Sequence, residues 1–161
     1  MKNSEIIVEN TMIRKFIDND LDSVMEIWLT DNINSHHFIS KDYWLANFEM
    51  VKGMLPLAEV YVYENNAGQI EGFIGLTDNY YIAGIFVKET AQSHGIGKQL
   101  LDCVKGFKQR LRLDVYLKNE RAISFYQREL FTIKTETVDD TAGEKEYSMV
   151  WKKPGMSDLL P

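Results

Sequence analysis

The amino-acid sequence predicts a single mixed α/β domain. Its 161 residues are the length of one ordinary domain and can bury a substantial core. Apolar residues make up 45% and charged residues 26%, close to the averages for globular proteins. Along the chain, apolar spacings typical of helices alternate with the period-two pattern of strands. We therefore expect residues 1–161 to fold as one domain with the element order β-α-α-β-β-β-α-β-α-β-β.

The first third of the sequence predicts a short strand and two helices. Residues 1–11 are interpreted as an N-terminal extension, because Met12 is a second possible start. Residues 12–17 are typical of a short strand, after which Asn19 and Asp20 are candidate N-caps for the first helix. Ser40 is the candidate N-cap of the second helix. The apolar stripes of these two helices consist of Leu21, Val24, Ile27 and Trp28, and of Trp44, Phe48 and Val51.

The middle of the sequence changes from helical to strand periodicity. Residues 59–64 alternate in polarity, and residues 69–76 follow the turn sequence NNAG as a hairpin partner. Residues 80–87 form a third apolar run. A helix is predicted from Ile96 to about Gln109, because apolar residues recur there at helical spacing.

The last third predicts a strand, a helix and a closing pair of strands. Residues 111–117 alternate in polarity as a strand, and residues 119–130 have helical spacing. Residues 131–138 and 145–152 are predicted to pair antiparallel. The tail at residues 153–161 is expected to be frayed.

Composition excludes several classes of function. The net charge is −6 and no basic run is present, so a nucleic-acid partner is not expected. Cys103 is the only cysteine, which excludes an internal disulfide and a cysteine metal cluster, and we expect this thiol to be buried. No apolar run has membrane-spanning length and the N-terminus lacks a signal-peptide pattern. We therefore expect a cytoplasmic protein with no membrane partner.

A glycine motif stands between the third strand of the middle region and its helix. Two familiar phosphate-binding patterns fail here: Gln99 stands where a P-loop needs Ser or Thr, and Leu100 stands where a dinucleotide fold needs glycine. The residues do match Gln-x-x-Gly-x-Gly over 92–97. Glycines at a helix start let a diphosphate approach free backbone N–H groups and the positive end of the helix dipole. A glycine-rich loop that only turns the chain remains the alternative.

A second motif follows the strand at residues 111–117. Residues 119–126 read Asn-x-x-Ala-x-x-Phe-Tyr. These two motifs in this order, with the element order from Met12 to Trp151, resemble the GNAT superfamily of N-acetyltransferases. The resemblance implies a mixed, mostly antiparallel sheet with helices on both faces. It also implies that two central parallel strands, residues 80–87 and 111–117, splay apart to receive acetyl-CoA.

The resemblance further implies which residues hold acetyl-CoA, and it implies no metal. Backbone groups of Ile85, Phe86 and Val87 would pair with the pantetheine arm, much as an added strand would. Gly84 could relax this strand into a bulge. The pyrophosphate would lie against the glycine motif and the lysine after it, that is, Gln92, Ser93, His94, Gly95, Ile96, Gly97 and Lys98. Asn119 would also contact the pantetheine arm. Asn119 is equally suited to be the N-cap of its helix.

Tyr126 matches the superfamily tyrosine that gives a proton to the departing thiolate. The alternative is that Tyr126 is a core residue, since it lies at helical spacing from Ala122. Tyr81 stands where many relatives carry a glutamate base, and at its ordinary pKa it cannot replace that base at neutral pH. We therefore expect Tyr81 to shape the acceptor channel, and His36 to reach the acceptor.

The identity of the general base remains open at this point. Asp78 is the carboxylate nearest to Tyr81 in sequence, although it could simply end its strand. His36 or His37 could serve from the loop between the first two helices. Deprotonation through water without a single essential base is the third possibility.

The acceptor implied by the resemblance is a primary amine. Short runs such as HHFI and VYLKN are similar to those of small bacterial peptidyl-lysine N-acetyltransferases, which implies a protein lysine. A polyamine, an amino-sugar, or a binding module that does not transfer the acetyl group remain alternatives, and the oligomeric state is unknown from the sequence. The superfamily often has glycine where this chain has Leu130, so we expect an altered or strained helix end there.

Overall fold

The computed structural model describes residues 12–155, which form seven strands and four α-helices. The predicted extension at 1–11 and the end of the predicted tail, 156–161, lie outside the described residues. The elements are β1 (Ile13–Lys15), α1 (Leu21–Ser35), α2 (Lys41–Met54), β2 (Glu59–Glu64), β3 (Ile70–Thr77), β4 (Tyr81–Val87), α3 (Ile96–Lys105), β5 (Arg110–Tyr116), α4 (Glu120–Arg128), β6 (Thr132–Asp139) and β7 (Glu144–Lys152). The predicted order of strands and helices is confirmed, apart from short 3-10 turns between them.

One sheet contains all seven strands in the order β1-β2-β3-β4-β5-β7-β6. Every neighbouring pair is antiparallel except β4 and β5, which are parallel. These two strands pair only at Tyr81 with Arg112 and at Ile82 with Leu113, and then diverge. The mixed sheet with a splayed central parallel pair is therefore confirmed.

Two apolar clusters cover opposite faces of the sheet. Successive residues of a strand point to opposite faces, and Ile74 belongs to one cluster while Phe73 belongs to the other. The first cluster contains Leu100 of α3 and Tyr126 of α4, whereas the second contains Trp28 of α1. The helices therefore lie on both faces, as predicted. Cys103 is buried in the first cluster, and burial raises the pKa of its thiol, so it is a core residue as expected.

The start of α1 differs from the prediction in one respect. Asp20 precedes the helix, but its side chain does not cap the first turn of α1. Its carboxylate instead accepts hydrogen bonds from the backbone N–H of Ile17 at 2.9 Å and from Arg14 at 2.8 Å. A buried carboxylate is stabilised more by a guanidinium than by backbone N–H groups alone, so the ion pair determines its orientation. Ser40 caps α2 as predicted, by accepting from Asp42 N–H.

The end of α4 is strained at Leu130, as the missing glycine predicts. Leu130 has a φ of 71°, in the left-handed region. This conformation lets Phe131 N–H donate to the Tyr126 carbonyl at 2.9 Å, which closes the helix end. An L-residue pays about 1–2 kcal/mol for such a conformation. The Leu130 side chain is 67% exposed, so little packing offsets this cost.

We expect Leu130→Gly to stabilise the protein. Glycine adopts the left-handed conformation without steric cost but loses more chain entropy on folding, so the expected net gain is about 0.5–1 kcal/mol in the free energy of unfolding. Leu130→Ala is the control, because it removes the same exposed side chain and retains the strain. Chemical denaturation measures both. An unfolding free energy of Leu130→Gly no higher than that of Leu130→Ala would contradict this account.

Candidate active site

A cleft of about 790 Å³ opens where β4 and β5 diverge. Its walls come from α1, α2, β4, the loop before α3, the first turn of α3, β5, α4 and the β6–β7 hairpin. Of the residues predicted to form the site, the cleft is lined by Tyr126, Ile85, Phe86, Val87, Gln92, Ser93, Gly95, Ile96, Gly97, Lys98, Asn119, Tyr81 and His36. His94 is not among its lining residues, and its Nδ1 lies 3.2 Å from the Ala91 carbonyl oxygen.

The β4 wall contains a bulge beside Gly84. Gly75 of β3 pairs with Gly84 and Leu76 pairs with Ile82, so Ala83 is the additional residue. The bulge expected from Gly84 therefore occurs one residue earlier. It lies just beyond Ile82, where the pairing with β5 ends, and it helps β4 to bend away from β5.

Val87 presents both of its backbone groups to side chains instead of to β5. Its N–H donates to the Asp31 carboxylate at 3.2 Å, and its carbonyl accepts from Gln92 Nε2 at 3.0 Å. Gln92 Nε2 also lies 3.3 Å from Asp31. The carbonyl of the preceding residue, Phe86, points instead toward Gly72 on β3. Val87 thus has backbone groups that can pair with an extended ligand in the cleft.

The loop before α3 turns through two left-handed residues. Ser93 has a φ of 67° and Gly95 a φ of 80°, and α3 begins at the next residue, Ile96. Ile96 is buried against the sheet. No side chain caps the first turn of α3, so its backbone N–H groups remain available at the positive end of the helix dipole. This arrangement is suited to a diphosphate.

Gly97, the last residue of the glycine motif, and Lys98, which follows it, differ in what they offer a ligand. A Cβ at Gly97 would lie 3.8 Å from Ile85 Cγ2 and 3.8 Å from Phe125 Cζ, so Gly97 keeps open the space between β4 and α4. Lys98 lines the cleft, but its ammonium forms ion pairs with Glu129 at 3.0 Å and with Asp102 at 3.3 Å. A diphosphate would have to compete with these carboxylates for Lys98.

The charges beside the loop are Asp31 and Arg121, which the sequence analysis did not single out. Burial raises the pKa of the Asp31 carboxyl, while hydrogen bonds from Val87 and its neighbours act in the opposite direction. Arg121 Nη2 donates to Ser93 Oγ at 3.2 Å and lines the cleft. Arg121 thereby places a cation at the loop where the motif predicts a phosphate group.

Tyr126 is buried in α4 and lines the cleft. Burial, and then the negative charge of Asp31, raise the pKa of its phenol above the ordinary value. Among residues 12–155 its hydroxyl makes no hydrogen bond to the protein, although the ring packs on Phe125 and Phe131. Tyr126 is therefore a neutral phenol with its proton free to be donated.

His36 and Asn119 form a hydrogen bond across the cleft. His36 Nδ1 lies 3.1 Å from the Asn32 carbonyl and must donate to it, while Nε2 lies 3.2 Å from Asn119 Nδ2 and accepts from it. Burial lowers the pKa of His36 to about 4. Asn119 Oδ1 accepts from Ala122 N–H at 3.2 Å, so the predicted N-cap is confirmed. His36 is consequently neutral and fully hydrogen-bonded at physiological pH.

Tyr81 lies on the opposite wall and is bonded to β5. Its hydroxyl donates to Asp114 at 2.9 Å, and the Arg112 guanidinium stacks 4.6 Å from its ring centroid. Burial and the Asp114 charge raise the pKa of the Tyr81 phenol, which is therefore neutral. Arg112 Nη1 also lies 3.3 Å from Asp114, so this carboxylate is paired on two sides.

Three carboxylates line one part of the cleft: Asp114 of β5, Asp139 of β6 and Glu146 of β7. We refer to this part as the carboxylate side. Tyr116 belongs to it, because its hydroxyl donates to Asp139 at 2.7 Å. Burial, followed by repulsion from Asp114 and Asp139, raises the pKa of Glu146 to about 7. A cationic amine would be attracted to this side of the cleft.

Part of the carboxylate side has a signal in the sequence. Leu111, Leu113 and Val115 alternate into the first core cluster, so Asp114 and Tyr116 must face the opposite side of the sheet. The alternation can be read from the sequence, but it does not show which residues Asp114 and Tyr116 contact on that face. The same alternation of Tyr147, Met149 and Trp151 puts Glu146 on that face of β7, but its place beside Asp114 depends on the register that pairs it with Tyr116.

Of the three candidate bases that the sequence offers, only His36 lines the cleft. Asp78 has a φ of 50° in the turn after β3 and does not line the cleft. His37 is exposed and does not line it either. His36 lines it with both ring nitrogens engaged. None of the three is thus presented to the cleft as a free proton acceptor.

Comparison with known proteins identifies the family. Residues 56–132 match the model of the acetyltransferase (GNAT) domain. The chain is 33% identical over 141 residues to the peptidyl-lysine N-acetyltransferase YiaC of Escherichia coli K12, with 87% of this chain and 96% of YiaC covered. It is 24% identical over 132 residues to the peptidyl-lysine N-acetyltransferase YjaB of the same organism, with 82% of this chain and 89% of YjaB covered.

Solved structures show the same fold. The solution structure of apo YjaB from Escherichia coli has a TM-score of 0.76 at 23% identity, with 89% of this chain and 97% of YjaB covered. The Salmonella typhimurium protein yncA, a putative acetyltransferase solved with its cofactor acetyl-CoA, has a TM-score of 0.64 at 18% identity, with 95% and 98% covered. Within residues 12–155 no helix could span a membrane, and no cluster of His, Cys, Asp and Glu is arranged to hold a metal ion.

Proposed function

Because the chain belongs to the GNAT acetyltransferase family and is an acetyl-CoA-dependent N-acetyltransferase, we propose that its acceptor is the side-chain amine of a protein lysine. The observation that carries this proposal is the carboxylate side of the cleft, where three acidic groups lie beside aromatic rings. Two relatives that cover most of the chain have peptidyl-lysine N-acetyltransferase as their name, which supports the same acceptor.

The chemistry of a lysine side chain is complementary to this side of the cleft. Its ammonium is attracted to Asp114, Asp139 and Glu146. Its alkyl chain can pack against Tyr81 and Tyr116, since both rings line the cleft. Within the described residues Arg112 pairs with Asp114, so a neutral or acidic acceptor would leave Asp139 and Glu146 without a cation.

The other side of the cleft fits coenzyme A. Val87 offers backbone groups that no strand uses, and the uncapped first turn of α3 offers N–H groups to a diphosphate. Gly97 lacks the Cβ that would narrow the space between β4 and α4. Arg121 adds a positive charge at Ser93. We propose that these residues, with Ile85 and Asn119, hold acetyl-CoA, which supplies an acetyl thioester when bound.

Asp31 would lose its hydrogen bond from Val87 N–H when coenzyme A binds. Its carboxylate now accepts from Val87 N–H and from Gln92. An extended arm that pairs with Val87 would take over this donor, and a diphosphate would be repelled by an ionised Asp31. The raised pKa of Asp31 reduces that repulsion, because burial favours the protonated carboxyl.

Tyr126 is proposed to donate the proton that the leaving sulfur needs. A neutral phenol at the cleft surface can give its proton to a thiolate, and its raised pKa keeps it protonated through neutral pH. The amine nitrogen forms a bond to the acetyl carbon as the carbon–sulfur bond breaks. The ammonium loses two protons in this exchange. One replaces the proton that Tyr126 gave to sulfur, and the other is released to solvent.

Incubation with acetyl-CoA and a panel of amines tests the proposed acceptor. Purified full-length protein is supplied with lysine peptides, the same peptides with lysine replaced by norleucine, spermidine and glucosamine, and thiol release is followed. We expect turnover only with peptides that contain lysine, and acetylation of the lysine side chain by mass spectrometry. Turnover with spermidine or glucosamine but with no lysine peptide would contradict a protein acceptor.

A further inference from the structure

The three carboxylates of the carboxylate side differ in their partners. Asp114 accepts from Tyr81 at 2.9 Å and lies 3.3 Å from the Arg112 guanidinium. Asp139 accepts from the hydroxyls of Tyr116 and Thr141 at 2.7 Å each and from Thr141 N–H at 3.0 Å. Both are therefore held by donors. Donors that hold a carboxylate in this way occupy lone pairs that an acceptor amine would otherwise reach.

Glu146 has no such partners. Within the described part of the chain no hydrogen-bond donor and no cation at ion-pair distance contacts its carboxylate. It lies on β7 opposite Tyr116 of β5 and Thr137 of β6, half-buried in the wall of the cleft. The titratable and charged groups around it are Tyr81 of β4, Arg112, Asp114 and Tyr116 of β5, and Asp139 of β6.

We propose that the Glu146 carboxylate is the general base that takes a proton from the acceptor amine. Glu146 combines a free carboxylate with a place in the wall of the cleft that also contains Tyr126. The inference rests on the proposed function only in requiring a primary amine as acceptor, and it does not require that amine to be lysine.

The proton affinity of Glu146 supports this role. Burial and two neighbouring carboxylates raise its pKa to about 7, while Arg112 acts in the opposite direction without forming an ion pair. Asp139 is different: burial works to raise its pKa, but the hydrogen bonds from Tyr116 and Thr141 outweigh burial and lower it. His36, with a pKa of about 4 and Nε2 already accepting from Asn119, is a poor base at neutral pH. A base works best when its pKa is near the operating pH.

The proton balance assigns separate roles to Glu146 and Tyr126. An ammonium N–H gives its proton to Glu146, and the freed lone pair forms the carbon–nitrogen bond. The carbon–sulfur bond breaks with its electron pair on sulfur, and sulfur takes the Tyr126 proton. Of the two protons then on this nitrogen, one passes through water to the Tyr126 oxygen and one stays as the amide N–H, and Glu146 releases its proton to solvent. One proton is thus released per acetyl group transferred.

The test is the pH dependence of kcat/KM in wild type and Glu146→Gln. A base with a pKa of about 7 must be deprotonated, so the wild-type rate should rise about tenfold per pH unit up to that pH and then level off. Glu146→Gln should lower kcat/KM about 100-fold at the plateau and abolish this acidic limb. Coenzyme A affinity by calorimetry should not change. Glu146→Asp should retain the limb with reduced activity, since it keeps a carboxylate.

Glu136→Gln is the matched control, because it makes the same change on the neighbouring strand β6. Its side chain is 47% exposed and pairs only loosely with Lys145, at 3.9 Å. It should retain both the rate and the acidic limb. A Glu146→Gln enzyme that keeps the limb and stays within about threefold of the wild-type rate would overturn the proposal. Loss of the limb in Asp114→Asn with its retention in Glu146→Gln would overturn it too, in favour of Asp114.

The outcome for Glu146 is distinguishable from the outcome for the acceptor. If wild type acetylates spermidine and no lysine peptide, the proposed lysine specificity is wrong, and the same pH profiles measured with spermidine still decide the role of Glu146. If wild type acetylates lysine peptides and Glu146→Gln retains the acidic limb, lysine is the acceptor and Glu146 is not the general base.

Discussion

Replacing Tyr126 with phenylalanine should lower kcat about 10³-fold, within the range that a lost general acid costs. The departing thiolate would then lack a proton donor, because the Tyr126 hydroxyl is the only feature that the substitution removes. Affinity for coenzyme A should stay within about threefold, since phenylalanine keeps the ring that lines the cleft. Steady-state thiol release and calorimetry measure the two quantities separately.

The variant is informative because its structural cost is low. In the described part of the chain the Tyr126 hydroxyl bonds to no protein group, so its removal leaves no buried partner unsatisfied. The contacts of the ring with Phe125 and Phe131 persist. The free energy of unfolding should therefore change by no more than about 0.5 kcal/mol.

Tyr147→Phe is the matched control for this experiment. Tyr147 packs against the same core cluster as Tyr126 but does not line the cleft. It should keep wild-type turnover. Full activity in Tyr126→Phe would show that another group or water protonates the sulfur, whereas a parallel loss of coenzyme affinity would show that Tyr126 acts in binding.

Much of the fold was predictable because the periodicity of apolar residues changes at each element boundary. The strand β5 illustrates this, since its alternation of leucine and valine with polar residues gives both the element and its two faces. Strand register was not predictable, because many registers satisfy the same alternation. The pairing of Glu146 with Tyr116 is such a case, and it determines which carboxylates meet.

The site divides in the same way. Most of the side that fits coenzyme A is a continuous stretch, residues 84–98, which a local motif can describe, but Asp31 and Arg121 join it from distant parts of the sequence. The carboxylate side combines β5, β6 and β7, which no local spacing connects. Asp31 shows how far apart the partners can be, because it accepts from Val87 across 56 positions of sequence. Asp20 shows the reverse, where a sound local rule for helix caps was overridden by the ion pair with Arg14.

Gly97→Leu should weaken coenzyme A binding at least about 10³-fold. The new Cβ would lie 3.8 Å from Ile85 Cγ2 and 3.8 Å from Phe125 Cζ, and the rest of the leucine would extend into the cleft between β4 and α4. A bound arm would lose that space and its pairing with Val87. Such a loss of contacts and charge-assisted hydrogen bonds amounts to about 4 kcal/mol, or roughly three powers of ten in affinity. Calorimetry with coenzyme A measures it directly.

Two variants separate obstruction of the cleft from damage to the fold. Gly97→Ala adds only a Cβ at ordinary contact distance, so it should fold normally and bind coenzyme A far better than Gly97→Leu. Gly53→Leu makes the same large change in α2, where a Cβ meets nothing within 4 Å, and should leave affinity unaltered. If Gly97→Leu folds and binds coenzyme A like wild type, the arm does not pass between β4 and α4. The proposed roles of Val87 and the first turn of α3 would then be wrong as well, because both depend on that path.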